Sequence, residues 1–229
     1  MEIGKNEHGP FWRPRVYVRT LLNSSKWRRM DRKQTIAVVA LPVLTIMMTG
    51  VYQAAKHLLG AELAWYAGFW VYWPVWCLLY PWWMIGWRKM RDLFQHRRLK
   101  AYGWFLMVFP PMMAFIGVFL FKQEQRAASG IIVYILMSFA NGTLEEILWR
   151  GVYTTLFPDN KIWGVTWPTL WFALWHFAPG SISPLTGVWT LMAGAAVFGA
   201  CWGLLAMKTG TIRYSAVSHT LSGLLWVLR

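Results

Sequence analysis

Two adjacent glutamates sit inside an otherwise apolar stretch, in the run Ser138-Phe139-Ala140-Asn141-Gly142-Thr143-Leu144-Glu145-Glu146-Ile147-Leu148-Trp149-Arg150. An ionisable side chain at the centre of a membrane-spanning helix costs at least about 2.5 kcal/mol, so each one kept there is a candidate for function. On an α-helix Ser138, Asn141, Gly142 and Glu145 fall at i, i+3, i+4 and i+7 and share one face. Glu146 lies about 100° further round. It precedes Arg150 by four residues, a spacing at which opposite charges pair. Pairing explains Glu146 and Arg150 as packing residues, but it leaves Glu145 without a partner in the sequence. Two histidines also lie in apolar surroundings, His176 at the end of Trp171-Phe172-Ala173-Leu174-Trp175-His176, and His219 near the carboxyl end. The plain reading of each is a packed histidine. The chemical reading joins one of them to Glu145: a carboxylate and an imidazole shielded from bulk water can orient a water molecule and take its proton as it attacks an amide carbonyl. A second histidine can then donate to the developing oxyanion. Peptide hydrolysis needs no covalent intermediate in such a site.

Other chemistries fit these residues less well. Neither His176 nor His219 has a second histidine one helical turn away, as the His-Glu-x-x-His zinc proteases require. A zinc site of one carboxylate and two histidines from separate helices stays open as an alternative, although no cofactor or metal is expected. Ser181 or Ser183, in Pro179-Gly180-Ser181-Ile182-Ser183-Pro184, is a weak candidate for a serine nucleophile. Burial as a small hydrophobe accounts for Cys201 at least as well as reactivity does. Buried Glu and His also serve proton relays in transporters, but the chain shows no paired half-repeats.

The elements that carry these residues follow from composition. Of the 229 residues 57% are hydrophobic and only 14% are charged, against roughly 25% charged in soluble domains. Several uncharged runs reach the ~20 residues that cross a ~30 Å hydrocarbon core. A water-soluble globule is excluded, and the fold expected is all-α, a polytopic integral membrane protein. Apolar stretches near 36–58, 63–87, 101–121, 130–157, 162–178, 188–207 and 212–228 give seven crossings. A broken stretch or an interfacial helix at 11–22 would make that six to eight. Cys77 and Cys201 both sit in apolar runs and form no disulfide framework.

The net charge of +14 is distributed as the positive-inside rule expects of cytoplasmic segments, rather than as a nucleic-acid surface. Nine Lys or Arg precede residue 36, and six more lie at Arg88, Lys89, Arg91, Arg97, Arg98 and Lys100. With the amino terminus inside, Lys161, Lys208 and Arg213 bring the inner total to eighteen, against Lys56, Lys122, Arg126 and Arg229 outside. No nucleic-acid partner is expected; an anionic inner leaflet is. The basic start has no apolar core of its own, so no cleavable signal peptide is expected. The organisation is a basic cytoplasmic segment over 1–35 and a single transmembrane domain over 36–229, with the motif-bearing core at 130–225. Trp65, Trp70, Trp73, Trp76, Trp82, Trp83 and Trp87 crowd the second stretch and are assigned to lipid and helix packing. Ala195, Gly199 and Gly203, four residues apart in the sixth, form a small-residue ridge assigned to internal packing rather than to a dimer.

Depth can be read from the turns. Glu145 and His176 lie at similar distances on either side of the turn Pro158-Asp159-Asn160-Lys161, which at 1.5 Å per residue puts both roughly 22–25 Å from it on neighbouring helices. His219 is only roughly 14 Å beyond its turn, so a tilt, a re-entrant start or a shifted boundary must close the gap.

Taken together, Glu145-Glu146-x-x-x-Arg150, Phe172-x-x-x-His176 and the Gly-rich helix leading through Lys208-Thr209-Gly210-Thr211-Ile212 to His219 resemble the CPBP family, the CAAX prenyl endopeptidases and bacteriocin-processing or Abi proteins. The likeness covers roughly residues 130–225. It implies a glutamic intramembrane endopeptidase in which Glu145 and His176 activate water and His219 serves the oxyanion, aided by an asparagine four residues on. That position is Gly223 here. Asn141, one turn before Glu145, is the candidate substitute donor, with a hydrogen bond to Glu145 or to a neighbouring helix as its structural alternative. Glu146 and Arg150 are expected to hold their helix in register, supported by Phe172. The expected partner is a membrane-associated peptide or protein substrate, with prenylation not implied, in a prokaryotic plasma membrane. The competing expectation is a catalytically silent adaptor or immunity-type protein of the same family.

Overall fold

Prolines and glycines decide where the helices of this chain open and stop. The computed structural model describes residues 30–120, 131–182 and 187–227. Over these residues the helices are α1 (Arg32–Leu59), α2 (61–92), α3 (Ala101–Leu120), α4 (Ile131–Leu156), α5 (162–180), α6 (Val188–Thr209) and α7 (Arg213–Val227). No strand occurs among the described residues, and the fold is all-α. Four helices are long and apolar enough to cross a bilayer: α1, α3 over Ala101–Val118, α4 and α6. The chain is an integral membrane protein. The basic segment up to residue 29, the helix considered at 11–22, and Lys122, Arg126, Ser183 and Arg229 lie outside the described residues.

Within α2, Trp73–Leu79 is a wide π-helical turn, and Pro81 follows it. A proline ring collides with the carbonyl four residues earlier, here that of Cys77, so the ladder opens just before it. Pro168 stands in the same relation to the wide turn Ile162–Thr166 of α5. Gly86, at φ 78° and ψ 156°, interrupts α2 in a conformation that side-chain-bearing residues rarely adopt. The apolar rod therefore ends at Ile85, and the basic residues that follow leave its axis. Gly210, at φ 67°, closes α6 with its N–H on the Ala206 carbonyl at 2.9 Å. In α4 two wide turns, Asn141–Glu145 and Ile147–Val152, follow each other without any proline.

Long-range hydrogen bonds fix which helix ends share a level. Lys33 Nζ donates to the Met84 carbonyl at 2.7 Å and Gln34 Nε2 to that of Leu156 at 2.8 Å. Thr211 Oγ1 and Ile212 N both donate to the Leu93 carbonyl, at 2.6 and 2.9 Å. The start of α1, the basic segment after α2, the α4–α5 turn and the α6–α7 turn thus lie at one end. Gln53 Nε2 donates to Ser181 Oγ at 2.8 Å at the other.

The core is aromatic and contains a charge. Its largest fully buried side chains include Trp149, Trp175, Tyr52, Tyr72, Tyr153 and Phe172, with Arg150 among them. Small residues let the helices close on it. A Cβ on Gly142 would lie 2.5 Å from the Thr220 backbone nitrogen, and one on Gly223 would lie 3.1 Å from Ser138 Cβ, so α4 and α7 touch almost backbone to backbone. Gly199 of the α6 ridge faces Arg150, Phe172 and Thr169, and Gly203 faces Val165, which makes this ridge an internal packing surface. Trp70, Trp82, Trp83 and Trp87 are exposed on α2, whereas Trp73 turns inward to α4.

The α4–α7 contact should tolerate no side chain at position 142. Gly142→Ala is expected to cost about 1–3 kcal/mol through overpacking. Gly194→Ala, whose Cβ meets nothing within 4 Å, should leave stability unchanged or slightly raised. Thermal unfolding of both variants in the same detergent checks this pair.

Candidate functional site

The wide turns of α4 set the geometry of the glutamates. Such turns advance less along the axis than α-helical ones, so the stretch from Asn141 to Val152 shortens and Glu145 comes nearer the level of His219. The wide turns narrow the gap in depth expected for His219, and the histidine meets both acids. Glu145 Oε2 lies 3.7 Å from His219 Nε2, and Glu146 Oε1 lies 3.1 Å from His219 Nδ1. The sequence suggested that the two carboxylates turn to separate partners. One imidazole spans them because its two nitrogens point to opposite sides. Both carboxylates are buried, at 3% and 0% exposure.

Aromatic rings build the walls. The His219 ring stacks on Trp202, with centroids 4.0 Å apart and planes 17° apart, and Trp202 Nε1 donates to Ser218 Oγ at 2.9 Å. Phe172 presents an edge-on contact to His219 at 6.0 Å, to His176 at 4.6 Å and to Trp149 at 5.5 Å. Its other close neighbour is Arg150, whose guanidinium carbon lies 4.3 Å from the ring centroid and 5.4 Å from that of Trp202. Arg150 Nη1 also approaches Glu146 Oε1 to 3.1 Å, the pairing expected from the four-residue spacing. The approach is off the hydrogen-bond axis: neither Nη1 nor Nη2 makes a hydrogen bond among the described residues, and neither does Glu146 Oε2. Charge attraction and ring faces hold this arginine in the core, rather than a bidentate fork.

His176 stands where α5 is interrupted. Its Nδ1 lies 2.6 Å from the Phe172 carbonyl. A carbonyl only accepts, so Nδ1 carries a proton, and in the neutral ring Nε2 keeps its lone pair. No hydrogen bond or ion pair joins His176 to Glu145. The neighbour that reaches the carboxylate at this depth is Trp175, whose Nε1 donates to Glu145 Oε1 at 3.4 Å. Asn141 is tied to α2, accepting a hydrogen bond from Trp73 Nε1 at 2.9 Å on its Oδ1. That is its structural alternative, and the amide nitrogen is left as a donor. Ser181 Oγ donates to the Ala178 carbonyl at 2.9 Å and accepts from Gln53, so it pins α1 to the end of α5. Cys201 is half-buried and Cys77 buried, both as free thiols. Among the described residues no set of three His, Cys, Asp or Glu side chains converges as a metal-ligand cluster. Trp73, Trp175 and Trp202 are site neighbours that sequence reasoning missed. In a chain with 18 tryptophans, spacing alone does not single them out.

Residues 127–225 match the family model described as Type II CAAX prenyl endopeptidase Rce1-like. The motif-bearing region is similar to this family over that stretch. The match bears out the resemblance carried by Glu145-Glu146-x-x-x-Arg150, Phe172-x-x-x-His176 and His219, and it leaves α1 to α3 outside. No curated protein and no solved structure gives a significant match to the chain. The description of that model names an endopeptidase.

Glu146 serves two partners, and its loss should be felt by both. Glu146→Gln is expected to lower stability by about 3–5 kcal/mol, because Arg150 is left buried without its counter-charge. Yield and unfolding temperature in detergent report this directly, and Glu146→Gln combined with Arg150→Met should recover part of the loss.

Proposed function

We propose that this protein is an intramembrane endopeptidase of the glutamic type, which hydrolyses a peptide bond of a membrane-associated substrate with water activated by Glu145. The single observation that carries this reading is the convergence, inside a buried aromatic core, of Glu145 and Glu146 on one histidine, His219. Glu145, Glu146 and Arg150 ionised together leave one uncompensated negative charge. One proton held between Glu145 and His219 removes it, so the cluster is suited to pass a proton within a dry site.

In the proposed reaction a water molecule lies between Glu145 and the Nε2 lone pair of His176. Its oxygen attacks the scissile carbonyl carbon while one of its protons passes to the Glu145 carboxylate and the carbonyl π pair moves to oxygen. His219, held by Glu146 and stacked on Trp202, donates to that oxyanion when it carries protons on both nitrogens. The tetrahedral intermediate then collapses: the C–N bond breaks, and the leaving amine takes the proton from Glu145. Glu146, Arg150 and Phe172 position the histidines, and Asn141 ties α4 to α2 through Trp73. No cofactor enters this scheme, and a metal-assisted variant would have to use the same acids and histidines.

The basic groups gathered at one end, Arg88 to Lys100 with Lys161, Lys208 and Arg213, support an orientation with this end in the cytoplasm against an anionic leaflet. The resemblance to bacteriocin-processing proteins supports a prokaryotic plasma membrane. A second reading, a silent adaptor of the same family, is favoured by one observation: Gly223 offers no side chain and packs on Ser138 at the place where the family pattern has its amide donor.

Turnover separates the two readings. In proteoliposomes given a farnesylated peptide with a free CAAX carboxyl end and, separately, an unmodified transmembrane peptide, wild-type protein should release new amine ends from at least one, detected by mass spectrometry. Glu145→Gln should fold normally and lower the rate about 10²–10⁴-fold. An unchanged rate in the variant excludes Glu145 as base, and absence of cleavage by the wild type favours the adaptor.

Orientation has its own test. In a Cys77→Ala, Cys201→Ala background, Gln95→Cys and Asp159→Cys should be shielded from an impermeant thiol reagent in intact cells, and Leu58→Cys should be labelled. Labelling at position 95 from outside would invert the topology.

A further inference from the structure

Tyr52 on α1 is buried more completely than its chemistry warrants. None of its surface is exposed, yet its hydroxyl has no hydrogen-bond partner among the described residues. Other buried tyrosines of the core are satisfied: the Tyr72 hydroxyl accepts from Trp149 Nε1 at 2.7 Å, and the Tyr153 hydroxyl donates to the Ala37 carbonyl at 2.7 Å. A phenylalanine would fill the Tyr52 site without the desolvation penalty of an unpaired hydroxyl.

The surroundings hold this ring in one place. Tyr52 meets Phe69 edge-on at 6.1 Å and Trp175 at 6.0 Å. On α2, Gly68 stands where any Cβ would run into the Tyr52 ring. The next residue, Gln53, binds Ser181, so α1 grips α5 on both sides of His176. Trp175, against which Tyr52 packs, donates to Glu145 Oε1 at 3.4 Å. His219 faces the other oxygen, Oε2. A fixed, unengaged donor is thus carried on a ring packed against the indole that binds the proposed base.

Hydrolysis needs such a donor. The Trp175 N–H is engaged by Glu145, the His176 Nδ1 proton by the Phe172 carbonyl, and Gly223 has nothing to give. His219 supplies one oxyanion donor, and the acceptor missing for Tyr52 and the place for a second donor are complementary. We propose that Tyr52 is a further catalytic residue, whose hydroxyl donates a hydrogen bond to the oxygen of the scissile carbonyl and stabilises the negative charge that forms there. This inference rests on the hydrolytic reading of Glu145. As water adds to the carbonyl carbon, the π pair moves onto the oxygen and the Tyr52 O–H···O bond shortens without proton transfer. When the C–N bond breaks the pair returns and the bond weakens, so Tyr52 leaves the cycle unchanged.

The test is Tyr52→Phe in proteoliposomes, with whichever of the two peptides the wild-type protein cleaves, and with Glu145→Gln alongside. Removing one oxyanion donor should lower kcat about 10²–10³-fold with KM unchanged. The unfolding temperature should be equal to or above that of the wild type, because no hydrogen bond within the protein is lost. A kcat within about two-fold of wild type, while Glu145→Gln is inactive, overturns the role of Tyr52 and leaves the peptidase reading intact. A loss of rate that comes with a lowered unfolding temperature makes Tyr52 a packing residue and also overturns it. Full activity in Glu145→Gln, or no cleavage by the wild type, overturns both readings together. If Tyr52→Phe does not accumulate, 3-fluorotyrosine encoded at position 52 keeps the ring and makes the hydroxyl more acidic. A changed kcat at unchanged stability then supports the donor, and an unchanged kcat overturns it.

Discussion

One imidazole between two carboxylates is the interaction on which the rest of this structure depends. His219 can meet Glu145 with one nitrogen and Glu146 with the other only if adjacent residues of α4 point to nearby places. An α-helix separates neighbours by about 100°, and the consecutive wide turns of α4 relax that constraint. They also demand a small residue where α7 comes closest, which is Gly142 against Thr220. The cost of burying two acids falls on Arg150, and the guanidinium is in turn sheltered by the faces of Phe172 and Trp202. Acids, histidines, arginine and rings form one unit in which no member is neutral to the others.

The tryptophan and tyrosine content takes on a different meaning in this light. Indole N–H groups reach out from apolar rings to satisfy polar atoms that a bilayer cannot: Trp175 at Glu145, Trp73 at Asn141, Trp202 at Ser218, Trp149 at Tyr72. An aromatic of this kind buries a large apolar body and supplies one directed donor, which suits a dry polar centre better than a flexible side chain would. Exposed tryptophans such as Trp70 and Trp83 on α2 follow the separate logic of a lipid-facing surface.

Helix α1 carries no part of the family pattern, but it packs against the half that does. Tyr52 lies on Trp175, Gln53 holds Ser181 and Gln34 holds the Leu156 carbonyl, so α1 fixes both ends of the α4–α5 hairpin. An element outside the matched stretch therefore shapes the site, and a reading confined to residues 127–225 would overlook it.

What composition and periodicity determined was the class of the protein and its elements. Low charge, long apolar runs and clustered basic flanks require helices in a membrane, and the expected stretches agree closely with α1 to α7 because hydrocarbon thickness and backbone hydrogen bonding leave few alternatives. The glutamates, Arg150, His176 and His219 were legible because ionisable groups in apolar runs are costly enough to stand out. Of their partners only Arg150 for Glu146 was. Depth counted at a fixed rise per residue brought His176 to Glu145 and left His219 short. In the folded chain the wide turns shift α4, Trp175 takes the place beside Glu145, and His219 bridges both acids. Likewise nothing in the spacing singled out Tyr52, Trp73 or Trp202, since each is one aromatic among many until neighbouring helices give it a partner or leave its hydroxyl without one. Local sequence sets which groups are buried; only helix packing, through glycine contacts and the opening of hydrogen-bond ladders, decides which of them meet.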